Sequence, residues 1–453
     1  MPNNLAEERK QINSDVVNNI IPKRIPITMG IGLFALAQIA GVDPRIAYWD
    51  PSGLEKTVDE LCARMPVDSN IMGRQILTPS KYQALGSKSI AISNSGFMQH
   101  PNTHMMEPEE YDEFIKDPYA FIVETAAPRI NVNLDIKANP IRALSAIAQA
   151  ISTQDAVNAA AGKITGAMSA KYGYPAPNPP GGGGYAPFDI LTDQLRSFSG
   201  MLADVRRNRD KVSAAVEAVY PMSYKSCAPN PAIYTRNSYG SYPLHMPTFM
   251  REIDFAELWW PSFYRLWNDF ASLGYRCYAF LEDDWMRYLD YVQDLPTGSV
   301  FKFEYGDPQV MKDRLGTKHI IDGSFPIEHL TKCTVDEAID KTKEWLDIMA
   351  PGGQYIFGLN KGILAASDVN LDNMEAICTT VLNEGVYANA GQATGELFDK
   401  DDYSHSEFVP FVSRAYQTFE EYCELHPNTA PEARPFVEAS EFTIFRFFYS
   451  LMQ

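Results

Sequence analysis

The chain has little that would tie it to a membrane, a nucleic acid or an oxidising compartment. Its six cysteines, Cys62, Cys227, Cys277, Cys333, Cys378 and Cys423, are scattered over 453 residues with no Cys-x-x-Cys pair. Such spacing argues against a disulfide framework or a zinc finger and suits a reducing compartment. No uninterrupted apolar run approaches the roughly 18 residues that a bilayer span needs. The nearest, residues 27–40, is broken by Thr28, Gly30, Gly32 and Gln38. Residues 1–23 mix Glu, Arg, Lys and Asn among single aliphatics, unlike a signal peptide. Positive charge is scarce as well: 39 Lys and Arg face 57 Asp and Glu, a net charge of −18. That field disfavours nucleic acid, whose recognition needs a basic footprint, but leaves room for an anion in a local basic pocket. Together these absences predict a cytoplasmic protein.

Common catalytic signatures are missing too. Neither His-Glu-x-x-His nor Gly-x-Ser-x-Gly occurs, so a metalloprotease or serine hydrolase has no support. The glycines at 181–184 lack the Gly-Lys-Ser/Thr that completes a phosphate loop. Preceded by Pro175, Pro177, Pro179 and Pro180, they read as a linker or as a mobile loop over a site mouth. Gly30-Ile31-Gly32-Leu33-Phe34-Ala35 has the loose form of a dinucleotide fingerprint. Pro26 in the strand before it, and the want of a second strand leading to Asp50, favour close helix packing by small residues instead.

What is present is an ordinary globular composition, 45% hydrophobic and 21% charged, in a chain long enough for one large barrel with extensions or for two domains. The clearest stretch is 274–387. It holds four short apolar runs that end in polar residues: 275–281 before Glu282-Asp283-Asp284, 300–303 before Glu304-Tyr305-Gly306-Asp307, 319–321 before Asp322-Gly323, and 355–359 before Asn360-Lys361-Gly362. Helical patterns lie between most of them. Strand, polar loop and amphipathic helix in repetition is the unit of a (β/α) barrel, whose site is built at the carboxyl ends of the strands.

Elsewhere the spacing predicts an N-terminal helix over 5–21, a short strand over 23–29 entering a helix through Ala40, and a Ser52–Glu55 capping box opening a helix to Met65. A strand is expected at 88–93, a helix through Glu109 to Ile115, a long buried helix over 142–161, helices over 188–203 and 209–219, and a strand at 242–246 containing His245. Residues 255–273 form a helix heavy with Trp259, Trp260, Phe263, Tyr264, Trp267 and Phe270, at a spacing typical of core, with a platform for a flat ligand as the other reading. Residues 408–425 read as helix and 436–452 as an aromatic-rich end. The resulting division is an N-terminal helical arm (1–24), a barrel (25–395), and a C-terminal extension (396–453) packed on the barrel or on a second subunit, as in a homodimer.

The acids at the strand ends carry the chemistry. Glu282-Asp283-Asp284 precedes a helix, so capping accounts for one or two of the three, and a functional role needs another to point inward. Glu304 ends its strand, whereas Asp307 before Pro308 resembles a helix start. Asp322 precedes a Gly323 turn, and His319 lies on the same strand face as Ile321, either as a core histidine or facing the barrel. Thr334-Val335-Asp336-Glu337 is a second capping box. Lys361 at the last strand end can be a surface residue, bind an anion or pair with acids across the mouth. Carboxylates and scattered histidines leave acid–base chemistry or a hard-cation site open.

The ordered motifs Gly316-Thr317-Lys318-His319-Ile320-Ile321-Asp322-Gly323-Ser324-Phe325-Pro326, Thr334-Val335-Asp336-Glu337-Ala338, Pro351-Gly352-Gly353-Gln354-Tyr355-Ile356-Phe357 and Asn370-Leu371-Asp372-Asn373-Met374 resemble the uroporphyrinogen decarboxylase superfamily. Ala186-Pro187-Phe188-Asp189 with Leu195-Arg196-Ser197, and Leu281-Glu282-Asp283-Asp284-Trp285 with Leu295-Pro296, look closest to its branch of corrinoid-dependent methyltransferases. The likeness spans roughly residues 25–390. It implies a (β/α)8 barrel with its site at the carboxyl-end mouth. Two departures stand out. The decarboxylases hold propionates with an N-terminal Arg-Gln-Ala-Gly-Arg segment, where this chain reads Ile27-Thr28-Met29-Gly30-Ile31-Gly32. The thiol-activating methyltransferases bind zinc through His-x-Cys and a distant Cys, at positions that fall here near 280–282 and Lys361.

The resemblance therefore implies a methyltransferase-like enzyme that moves methyl to or from a corrinoid carried by a partner protein, without the zinc–thiolate site and with no metal ligands identified. Glu282, Asp284 and Asp322 would protonate or orient a small-molecule substrate, and His245, Asp283, Glu304, Asn360 and Lys361 would line the pocket. The alternatives are a decarboxylase acting on another carboxylic acid, and a barrel that binds a ligand without catalysis.

Overall fold

Residues 2–73, 78–176, 178 and 181–452 are described by the computed structural model. A small antiparallel hairpin, β1 (Ala91–Ile92) with β2 (Met98–Gln99), stands apart from the main sheet. That sheet is wholly parallel and runs β3 (Gly240–Leu244), β4 (Cys277–Asp284), β5 (Val300–Tyr305), β6 (Ile320–Asp322), β7 (Tyr355–Ile356) in spatial as in chain order. Parallel neighbours need crossover connections, and helices supply them: Trp260–Ser272, Leu289–Asp294, Pro308–Leu315 and Val335–Met349. Local sequence starts two of these helices visibly. The Asp307 carboxylate accepts the N–H groups of Gln309 and Val310 at 2.8 and 3.1 Å. Thr334 and Glu337 form the reciprocal capping box expected of them. The fold is thus mixed α/β.

Single parallel bridges lengthen the sheet at both edges. Phe357 pairs with Ile27, Ile31 pairs with Ile363 and Met72, and Gly183 pairs with Ser241 at the other edge. Among the described residues no bridge joins the segment at Met72 to that at Gly183.

Exposure alternates along the strands. Tyr242, Leu244, Cys277, Ala279, Leu281, Phe301, Phe303 and Ile321 are buried beneath the helices. Their alternate neighbours Ser241, Pro243, Tyr278, Phe280, Lys302 and Asp322 retain accessible surface. A period of two puts these on the opposite face, so the inner face of the sheet borders open space. Ser241 is exposed although its neighbours Gly240 and Tyr242 are buried. The amino-terminal end of this space is shut. Val16 of the N-terminal helix Pro2–Val17 packs on Val300 and Ile320, with Tyr239, Tyr278 and Ile356 around them. Arg276 Nη1 donates to the Val17 carbonyl at 2.6 Å. The helix is a stopper rather than a projecting arm. Behind it Asp68, almost fully buried, accepts Arg24 Nη1, Arg24 Nη2 and the Ile27 N–H at 2.6, 2.7 and 2.8 Å, which satisfies a buried charge as burial demands.

Several sequence expectations are corrected. Residues 181–184 are not a mobile loop: Gly183 N–H donates to the Cys227 carbonyl and Gly184 N–H to that of Ser241, at 2.8 and 3.0 Å. A Cβ on Gly183 would meet Ser241 backbone at 2.3 Å, so glycine is there for close backbone approach. Pro177, Pro179 and Pro180 lie outside the described residues. Asp50, not Ser52, makes the cap, accepting the Ser52 N–H at 3.0 Å ahead of the helix Glu55–Arg64. The strand expected at 88–93 shrinks to hairpin β1. The long helix, Pro140–Tyr172, is buried only along a stripe through Ala143, Ala146, Ala150, Val157, Ile164 and Met168. In the 408–425 region only Phe419–Leu425 is helical, because Pro410 denies the earlier residues a regular ladder. Trp259, Phe263, Trp267 and Phe270 are core, with Trp267 stacked 6.0 Å from Phe301. The C-terminal helix Arg434–Tyr449 buries Phe445, Phe447, Phe448 and Tyr449 against the same core. No helix among the described residues is long and apolar enough to cross a membrane.

Candidate functional site

The acid triplet at the end of β4 is divided by a bulge. Leu281 pairs with Phe303 and Asp284 with Tyr305, so Glu282 and Asp283 together oppose Glu304. The extra residue forces Asp283 into the left-handed region at φ 62°, and bulges of this kind re-aim side chains. Glu282 stays on the inner face by the same period of two as Tyr278 and Phe280, and the bulge turns Asp284 away from it. Asp283 is exposed on the rim, where its N–H donates to Glu304 Oε2 at 2.6 Å. Asp284 is exposed and its carboxylate accepts the Met286 N–H at 2.9 Å. Asp284, expected to meet substrate, thus caps the following turn, and the capping share of the triplet belongs to it.

Glu304 is the hub of the rim. Its Oε1 lies 2.8 Å from Lys361 Nζ, which also bonds the Tyr305 hydroxyl and sits 4.3 Å from that ring's centre. Burial opposes the Lys361 charge, but the Glu304 and Tyr305 contacts raise its pKa overall. Asn360 is buried and clamps two loops, Nδ2 donating to the Glu304 carbonyl at 2.8 Å and Oδ1 accepting the Ile327 N–H at 2.9 Å. One donor and one acceptor of its amide hold the rim.

Opposite this hub His245, just past β3, bridges two carboxylates. Its Nε2 is 3.0 Å from Glu282 Oε1 and its Nδ1 is 3.2 Å from Asp193 Oδ2. Burial disfavours the imidazolium, yet the hydrogen bonds and charges of Asp193 and Glu282 outweigh it and lift the pKa to about 11. Both ring nitrogens therefore donate. Asp193 is placed by a π-helical turn, Leu191–Arg196, a feature frequent at functional sites. Asp189 lies one turn earlier and is fully buried, with Oδ1 accepting Trp259 Nε1 at 2.7 Å. Asp189 Oδ2 and Asp193 Oδ1 are buried without a partner among the described residues. Burial and the Asp193 charge push Asp189 up to about 8, which favours its protonated form.

Further down the inner face of the sheet, the pairing of Phe301 with Ile321 sets Lys302 of β5 beside Asp322 of β6. Lys302 Nζ is 5.4 Å from the centre of the Phe280 ring. Burial lowers its pKa against the opposing pull of Asp322. Burial raises Asp322 in turn, against Lys302 and the Tyr278 and Thr28 hydroxyls. Both groups are driven toward their neutral forms.

The structure thus groups Glu282 with His245, Glu304 with Asp283, Asn360 and Lys361, and sets Asp322 below them. His319 is a core histidine, edge-on to Phe301 at 5.0 Å and pushed down to about 3 by burial. Sequence reasoning missed Asp193 and Lys302, and assigned Asp189 no role. Two signals were available: Asp189 and Asp193 are four apart and share a helix face, and Lys302 is the one charge inside an otherwise apolar strand, two residues before Glu304. No three His, Cys, Asp or Glu among the described residues gather as a metal site. Comparison with models of known protein families and with curated proteins finds no match to this chain.

Proposed function

We propose that the parallel segments close into a (β/α)8 barrel and that the chain is a methyltransferase-like enzyme of the uroporphyrinogen decarboxylase type, in which a proton replaces zinc as the activator of the methyl-bearing compound. Support for the barrel is the common direction of eight segments whose order around the sheet follows the chain: 27–31, 71–72, 181–183, then β3 to β7, with β7 returning to the first.

The observation that carries the functional reading is the Glu282–His245–Asp193 array at the mouth. A methyl group leaving an ether or amine leaves behind a basic heteroatom, and protonating it lowers the barrier. Glu282 is the member of the array with access to the lumen, and it passes a proton from His245 Nε2 to that heteroatom. Asp193 holds the ring by Nδ1 and keeps it charged. The Glu304–Lys361 pair and Asp283 shape the opposite rim. The corrinoid of a partner protein supplies the cobalt that gives or takes the methyl group. A decarboxylase needs cations to hold its carboxylate, and His245 and Lys361 at the mouth are both paired with acids, which leaves that reading only Lys302 among the described residues.

The test mixes the purified protein with cob(I)alamin and a panel of methyl ethers and methylated amines, and the reverse with methylcob(III)alamin and the demethylated acceptors. Conversion between the two cobalamin spectra, abolished by Glu282→Gln, supports the reading. Unchanged spectra with every compound overturn it.

A further inference from the structure

The geometry points to a second reactive centre at Lys302, whose amine forms an imine with a small uncharged aldehyde or ketone that enters the lumen. It does not rest on the methyl-transfer reading. Lys302 is the sole lysine among the described residues of β3 to β7, and its position on β5 puts it on the inner face between Val300 and Glu304. No carboxylate among the described residues comes within 4.0 Å of its Nζ, whereas Lys361 above it is held by Glu304. It keeps accessible surface, and Ser241, on the same face of the sheet, is exposed. The Phe280 ring, 5.4 Å from Nζ, gives the amine an apolar wall. A desolvated lysine in such a pocket is an activated nucleophile.

The neighbouring strand supplies the acid such a step needs. Asp322, beside Lys302 in register, is favoured by burial in its protonated form. The neutral amine adds to the carbonyl carbon, forming a C–N bond and a carbinolamine. Asp322 then protonates the hydroxyl, the C–O bond breaks and water leaves. The product is a protonated imine facing the Asp322 carboxylate, so two neutral groups become one ion pair and no oxidant or reductant is consumed. Asp193, Glu282, Asp283 and Glu304 outnumber the cations His245 and Lys361 at the mouth, and this net negative rim disfavours an anionic 2-oxo acid relative to an uncharged carbonyl compound.

The experiment incubates the full chain with propanal and sodium cyanoborohydride for short times and maps propylated peptides by mass spectrometry. Labelling of Lys302 about tenfold faster than of the exposed Lys332 and Lys343 supports the assignment. Equal or slower labelling of Lys302 overturns it, and this comparison within one folded chain needs no variant. Asp322→Asn, checked by thermal unfolding, slows labelling at Lys302 alone if Asp322 is the acid. A rate unchanged in that variant removes Asp322 from the step.

Discussion

Glu304 receives the backbone N–H of Asp283 at 2.6 Å, so one carboxylate on β5 holds the left-handed residue of the bulge on β4. Removing that acceptor leaves a donor bonded only to water at a strained residue. Glu304→Ala is therefore expected to cost about 1–3 kcal/mol in urea unfolding, and Glu304→Gln less, because it keeps an oxygen for Asp283. Asp283→Gly, which relieves the backbone, should stay within about 1 kcal/mol of the parent. A Glu304→Ala protein as stable as the parent would refute the clamp.

His245 gives a pH prediction with a definite sign. Its folded pKa of about 11 exceeds the ordinary histidine value. The protonated form is the one that folding favours, so its contribution is fully present below about pH 6.5 and fades as pH rises toward the folded value. The stability gap between the parent and His245→Gln should narrow steadily over that range in urea unfolding. A gap that widens with pH would contradict the doubly bonded imidazolium.

Asp189 should behave in the same sense for a different reason. Its folded pKa is raised to about 8 by burial and by Asp193, so its stability is whole below about pH 3.9 and is lost as pH climbs through 8. Asp189→Asn keeps an oxygen for Trp259 Nε1 and cannot ionise. The melting temperature of the variant relative to the parent should rise between pH 5 and pH 8, measured by circular dichroism. No relative rise would place a carboxylate, not an acid, at this position.

Gly183 sits at φ 106°, and a Cβ there would strike the Ser241 backbone. Gly183→Ala is expected to cost about 3 kcal/mol or more, from backbone strain and displacement of the edge segment together. Gly162 is the control, because a Cβ added there would meet nothing within 4 Å. Gly162→Ala in the long helix should gain about 1 kcal/mol. Both are read from urea midpoints.

The sheet was legible where apolar runs are bounded by polar ends. The strand cores at Val300, Ile320 and Tyr355 fell where expected because alternation and turn residues agree there. The edge segment at 181–184 was not, since it has no side chains to show a period and pairs through backbone alone. At the site, Glu282, His245 and Asp322 could be found as polar residues at the ends of strands. The array around them could not, because Asp193 comes from a helix about fifty residues before His245 in sequence and its aim depends on a π-turn. That Asp284 does not face inward beside Glu282 was likewise decided by a bulge, and a bulge depends on the partner strand as much as on its own residues.

The stopper formed by Val16 has a kinetic consequence. In the proposed barrel, with its amino end shut by this helix, reactants and products would share the passage at the carboxyl end, past Glu282, Glu304 and Lys361. If that passage admits one bulky reactant at a time, turnover proceeds by alternate visits, the first product departing before the second reactant arrives. Initial rates measured against both reactants should then give parallel double-reciprocal lines, and a competing ligand for one visit should act as a substrate-like plug for the other.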